Sequence, residues 1–118
     1  MFIYIKMEVT YEVGKNAKHN WQILDESSDN DIWIHINDFP SCYVIIKTND
    51  NIINKDHIKQ GCYLCYNKSK NKFNNKKRLS FSYLDCKYVK KGKITGEAKL
   101  LRSPNIKSFK ISELINEN

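Results

Sequence analysis

The run from Asp31 to Ile46, DIWIHINDFPSCYVII, constrains the fold more than any other stretch of this chain. Ile32, Ile34 and Ile36 alternate with Trp33 and His35, the period of a strand with one aliphatic face. A second apolar run, Cys42–Thr48, follows the turn Asn37-Asp38-Phe39-Pro40-Ser41, so Asp31–Ile36 and Cys42–Thr48 form a hairpin. The face opposite the isoleucines carries Asp31, Trp33 and His35. If that face meets solvent, the ring is a platform for a nucleic-acid base and its neighbours can bond the base edge. If it meets protein, Trp33 covers a second hydrophobic layer and His35 is a structural histidine.

The remaining elements are organised around this hairpin. At 118 residues the chain fits one domain, 1–118, with room for a real core. Met1–Val13 has strand-like alternation and Gly14-Lys15-Asn16 a turn signal, after which Ala17–Leu24 is a short helical turn or strand. Ile58, Cys62, Cys65 and Tyr66 recur at helical spacing, which makes about residues 52–70 the principal helix. Gly61 within it costs roughly 1 kcal/mol against alanine, and a small residue there lets a helix lie close to a sheet. Leu79–Tyr83, Lys87–Lys91, Glu97–Leu101 and Lys107–Ile111 are short strands, the last two flanking a Ser103-Pro104-Asn105 turn. The tail from Ser112 is a helical turn. The expected class is α+β: a mostly antiparallel sheet with one principal helix.

Charge placement narrows the function. The net charge is +7, yet residues 1–50 carry four basic against eight acidic side chains. Residues 51–93 carry twelve basic ones against Asp56 and Asp85. A cationic excess gathered in one segment suits an anionic partner, nucleic acid first. It also suits a solvated lysine-rich surface. Met1–Met7 lacks a long apolar core and no run approaches membrane-spanning length, so neither a signal peptide nor a membrane partner is expected. Four cysteines without a secreted disulfide spacing fit a reducing, cytoplasmic setting.

Catalysis has thin support. Cys62 and Cys65 make a lone Cys-x-x-Cys with no second pair, which favours core packing over a metal. Asp25, Glu26, Asp29 and Asp31 suggest a nuclease cluster less readily than a solvated loop. His35 with Cys42 lacks an orienting third group. No enzyme, metal or cofactor is expected.

Three stretches resemble one family, the RNA-binding module of the NFACT proteins, which are ribosome-quality-control factors related to bacterial fibronectin-binding-protein homologues. Gly14-Lys15-Asn16-Ala17, with Asn20 and Leu24 after it, is similar to the family's glycine–basic–asparagine opening. Asp31-Ile32-Trp33-Ile34-His35, with Asp38, Pro40 and Val44–Ile46, is similar to its Asp-Leu-Trp-Phe-His signature and hairpin. Val89-Lys90-Lys91, with Gly92 and Gly96, is similar to its late lysine–glycine segment. Where the family places Gly-Ser-His after the hairpin proline, this chain has Ser41-Cys42-Tyr43. With no counterpart of the family's amino-terminal domain and coiled coil, the expectation is a standalone module without tailing activity.

The resemblance implies binding of RNA, tRNA or rRNA, in preference to DNA, with the ribosome among possible partners. Residues and resemblance together nominate Lys68, Lys70, Lys72, Lys76, Lys77, Arg78, Lys87, Lys90, Lys91 and Lys93 for phosphate neutralisation. Lys15, Asn16 and Lys18 join them at the first turn, and Asp31, Trp33 and His35 supply stacking and edge contacts. The alternatives are a DNA-binding module and a protein-docking module that binds no nucleic acid.

Overall fold

A computed structural model describes residues 9–48 and 53–116. The expected strand character of residues 1–8 lies outside the described residues. A five-stranded antiparallel sheet has the order β1-β3-β2-β4-β7. Its strands are β1 (Val9–Val13), β2 (Ile32–Ile36), β3 (Val44–Thr48), β4 (Arg78–Asp85) and β7 (Asn105–Lys110). A separate ribbon pairs β5 (Val89–Lys91) with β6 (Ala98–Leu100). The helices are α1 (Ala17–Asp25), α2 (Lys55–Lys68) and α3 (Ile111–Asn116). The class is α+β, predominantly sheet, as the alternation patterns indicated.

The hairpin is the middle of this sheet. Ile32 faces Ile46, Trp33 faces Ile45 and Ile34 faces Val44. Its second strand begins at Val44, two residues later than the apolar run from Cys42 suggested. The cause is competition for backbone groups: the Ile36 N–H donates to Ser41 Oγ at 3.1 Å. The Tyr43 N–H donates to Asn20 Oδ1 at 3.0 Å, and the Tyr43 carbonyl accepts from the Gly14 N–H at 2.9 Å. Cys42 and Tyr43 are thereby held by other partners than β2. Asp38, at φ 67° in the turn, takes the left-handed conformation that aspartate tolerates.

Both faces of the central hairpin are buried. On one, Ile34, Ile36, Val44, Ile46 and Phe81 pack against Cys62, Cys65 and Tyr66 of α2 and Leu114 of α3. On the other, Trp33, Tyr43 and Ile45 pack against Ile23 and Leu24 of α1 and Val89 of the ribbon. Helix α1 is the element that closes the second face. Asn16 caps it, its side chain accepting the His19 N–H at 2.8 Å. Among the strands, β6 and β7 do not form a hairpin with each other. Alternation marks a strand but not its partner, and here β7 joins β4 while β6 returns to β5.

Helix α2 begins at an Asn54 cap, where Asn54 Oδ1 accepts the Asp56 and His57 N–H groups. Gly61 sets its distance from the sheet. A Cβ there would stand 2.5 Å from Ile34 Cδ1 and 3.1 Å from Ile46 Cδ1, both on fully buried side chains. Gly61→Leu therefore tests the packing directly. Its helix propensity favours the variant by up to about 1 kcal/mol, whereas overpacking costs about 1–3 kcal/mol. Urea denaturation is expected to show net destabilisation; a stabilised variant would mean the helix does not press on the sheet.

Candidate nucleic-acid interface

Between the two layers, at one end of the sheet, lies a cleft of about 680 Å³. Gly14–Ala17 and Asn20 line one side, from the turn into α1. Asn67–Lys72 line another, from the end of α2 and the 3-10 turn after it. His35, Pro40–Cys42 and Thr95–Gly96 complete the lining. Among the described residues four lysines, Lys15, Lys68, Lys70 and Lys72, border it, and no aspartate or glutamate does. The amino-terminal end of α1 meets the cleft, adding a partial positive charge. An uncompensated cationic cleft of this kind attracts anions.

Its walls are fixed by the core. Gly96 has φ +90° and abuts Ala17, whose Cβ would lie 2.6 Å from any Cβ at that position, so a glycine is required on both counts. The Tyr43 hydroxyl donates to the Gly96 carbonyl at 2.6 Å. The Trp21 indole N–H donates to the Glu97 carbonyl at 2.9 Å, which pins the β5–β6 loop to α1. Burial pushes the Tyr43 phenol up to about 12, with the Glu97 carboxylate adding to the effect. Tyr43 is thus a neutral donor.

His35 lies on Trp33, their rings 5.7 Å apart and nearly parallel, and Tyr43 meets both edge-on at 5.6 and 5.9 Å. Burial lowers the His35 pKa, and contacts with the Ile36 and Ser41 backbone only partly oppose this. The cleft therefore presents a neutral imidazole among ammonium groups.

The sites expected from the sequence divide into groups. Lys15, Asn16, His35, Lys68, Lys70 and Lys72 share the cleft, with exposed Lys18 just beyond it on α1. Trp33 is no stacking platform: only 3% of it is exposed, because α1 and the ribbon cover that face of β2. Its indole N–H is buried with no hydrogen-bond partner among the described residues, so ring packing is what holds it. Asp31 is also buried, its carboxylate accepting the Ser28 N–H at 2.8 Å in a structural turn.

The late lysines sit elsewhere. Lys91 pairs with Asp25 at 3.1 Å and lies over the Trp21 ring. Lys90 borders a smaller cleft of about 240 Å³ that also contains Asp25 and Asp29. Lys87 lies over Tyr88, and Lys93 is exposed, its backbone N–H donating to Glu97. Lys76 stands over Phe39, next to exposed Lys77 and Arg78 at the start of β4. The nominations missed the polar residues that finish the cleft: Asn20, Ser41, Asn67, Asn71 and Thr95. For Asn67 and Asn71 the asparagine density of that stretch was the visible signal, and Asn20 and Ser41 stood in the stretches that carry the family resemblance.

Among the described residues, no three His, Cys, Asp or Glu side chains gather where they could hold a metal ion. Cys62 and Cys65 are fully buried in the α2 core. No described helix is long and apolar enough to cross a membrane.

The fold and the cleft together define a small antiparallel α+β domain with a basic cleft at the end of its sheet. No protein-family model and no curated protein matches the chain. Among solved structures it is similar to the C-terminal part of the fibronectin/fibrinogen-binding protein of Streptococcus suis. The TM-score is 0.76 at 18% identity, over 93% of this chain and 44% of that one. The likeness is one of fold, to a protein of the kind the sequence resemblance named, and the chain spans less than half of that structure.

Two measurements check this geometry. Trp33→Ala is expected to cost about 3–5 kcal/mol of stability in urea denaturation; a near-neutral variant would put Trp33 at the surface. For His35 the folded-state pKa is depressed, so between that value and about 6.5 the unfolded chain binds the extra proton. The contribution is present at neutral pH and is lost as pH falls below about 6.5. Stability of wild type minus His35→Gln, followed from about pH 7.5 to about pH 5.5, should fall across that window. A flat difference would show an unperturbed imidazole.

Proposed function

We propose that this domain binds nucleic acid through the cleft bordered by Lys15, Lys68, Lys70 and Lys72, with single-stranded or looped RNA as the preferred polymer. The observation that carries the reading is the set of lysines converging on one cleft with no carboxylate among its described lining residues. Phosphates supply the complementary charge. The exposed asparagines Asn67 and Asn71, together with His35, offer donors and acceptors for sugar hydroxyls and splayed base edges. A single strand suits a cleft of this volume better than a duplex, whose grooves are read by an element that protrudes.

The sequence resemblance to the NFACT RNA-binding module supports RNA over DNA and translation as the setting; the Streptococcus suis protein shares the fold alone. Recognition on this reading is by cationic cleft, not by a tryptophan platform. The charge on the β5–β6 ribbon is secondary, because Asp25 and Asp29 stand among its lysines.

Binding of tRNA, single-stranded RNA and duplex DNA across a salt series tests this. If about four phosphates are neutralised, log K against log salt has a slope of roughly −3 for a single strand. Changing Lys68, Lys70 and Lys72 together to Gln should flatten it to roughly −1. Lys90→Gln with Lys91→Gln should change it less. Equal effects of the two sets would move the site to the ribbon, and a preference for duplex DNA would replace RNA as the ligand. No binding at low salt would overturn the proposal and leave protein docking as the better account.

A further inference from the structure

The cleft contains a chemical feature that phosphate binding does not use. Cys42 forms part of its lining, and behind Cys42 lies Cys65 of α2, fully buried. Their sulfurs are 4.0 Å apart. The Cys65 thiol donates to the Cys42 carbonyl at 3.4 Å, and Ser41 Oγ lies 3.8 Å from the Cys65 sulfur. A disulfide requires about 2.05 Å, so the sulfurs need to approach by roughly 2 Å. Cys42 lies two residues before β3, outside the ladder, where a side chain can shift without unpairing a strand.

We propose that Cys42 and Cys65 form a peroxide-reactive dithiol that closes into a disulfide behind the cleft. Cys42 is the attacking residue, since it borders the cleft with Lys68 nearby and keeps 8% of its surface exposed there, and Cys65, with none, is the resolving one. The Cys65 thiol beside it holds Cys42 below the ordinary thiol range, against the effect of burial and with help from the Lys68 charge. The other cysteines lack this: burial pushes Cys62 well up and Cys86 up to about 12. Low thiol pKa together with access to solvent is what makes a cysteine reactive.

The chemistry balances with hydrogen peroxide as oxidant. The Cys42 thiolate attacks one peroxide oxygen, breaking the O–O bond to give a sulfenic acid and hydroxide. The Cys65 sulfur then attacks Cys42 Sγ and expels the sulfenic oxygen, while the Cys65 proton is taken up by the departing oxygens. Two thiols and one peroxide yield one disulfide and two waters. The bond ties the Pro40–Cys42 segment to α2, whose end carries Lys68, and so links two sides of the cleft. An effect on RNA affinity rests on the nucleic-acid reading; the disulfide itself does not.

The test oxidises the reduced full chain with hydrogen peroxide, unfolds it in the presence of a maleimide and maps the thiols by mass spectrometry. Cys42 and Cys65 are expected to lose alkylation together and to appear as one cross-linked peptide pair that dithiothreitol reverses, with Cys62 and Cys86 still alkylated. Alkylation of Cys42 unchanged, oxidation of Cys42 to a sulfinic acid without a cross-link, or pairing with another cysteine would each overturn the proposal. Cys65→Ser should leave a Cys42 sulfenic acid that dimedone labels. If that variant does not fold, the wild-type map decides alone. RNA titration of reduced and oxidised protein separates the two readings: a difference in affinity supports both. A disulfide without RNA binding in either form overturns the cleft reading only, and equal binding by both forms overturns the link between them.

Discussion

The central hairpin is buried on both faces, and the rest of the structure follows from covering it. A strand pair with isoleucines on one side and Trp33, Tyr43 and Ile45 on the other has no face to give to water. Each large apolar side chain left exposed would forfeit about 1.5–3 kcal/mol of burial. Two covers are needed, and the chain supplies α2 with α3 for one face and α1 with the β5–β6 ribbon for the other. The covers are of unequal kind. Helix α2 is long and comes close because Gly61 has no side chain, whereas α1 is short and is held by polar contacts: the Asn16 cap, the Asn20–Tyr43 bond and the Trp21–Glu97 bond.

This asymmetry explains which parts were legible in the sequence. The hairpin, α2 and the role of Gly61 follow from local periodicity, because each is decided by residues near in sequence. The burial of Trp33 is decided by α1, a nine-residue helix whose polar Lys18, His19 and Gln22 dilute its apolar signal. Alternation reveals that a strand has two faces but not whether one or both are covered. The partners of β6 and β7 were hidden for a related reason, since strand pairing is a choice among distant segments. The family resemblance pointed at the right turn, Gly14 to Ala17. It could not show that Asn20 fills the space above Gly14, where any Cβ would collide with the Asn20 side chain.

Charge followed the same pattern. The sequence places twelve basic residues in one segment, yet the fold distributes them over different surfaces. What decides their availability is the position of carboxylates from other parts of the chain. Asp25 comes from α1 to meet Lys91, and Asp29 joins it beside Lys90. Exposed pairs of this kind contribute little to stability, of order 0–1 kcal/mol, but they lower the potential where a phosphate would bind. Among the described residues no carboxylate joins the Lys68–Lys72 turn in the cleft lining. Field strength there comes from exclusion of acidic residues as much as from the lysines.

The cleft is therefore a by-product of how the layers end. Its inner residues double as core residues: His35 rests on Trp33, Cys42 stands before Cys65, and Tyr43 reaches from the second core to bond Gly96. Walls anchored in that way are already ordered, so a ligand does not have to organise them on binding. The lysine side chains are the exception, being exposed and rotamer-rich. They lose freedom when they close on phosphates, at about 0.5–1.5 kcal/mol each. A rigid inner surface with mobile charges at its rim suits a flexible anionic chain that must be held at its backbone whatever its sequence.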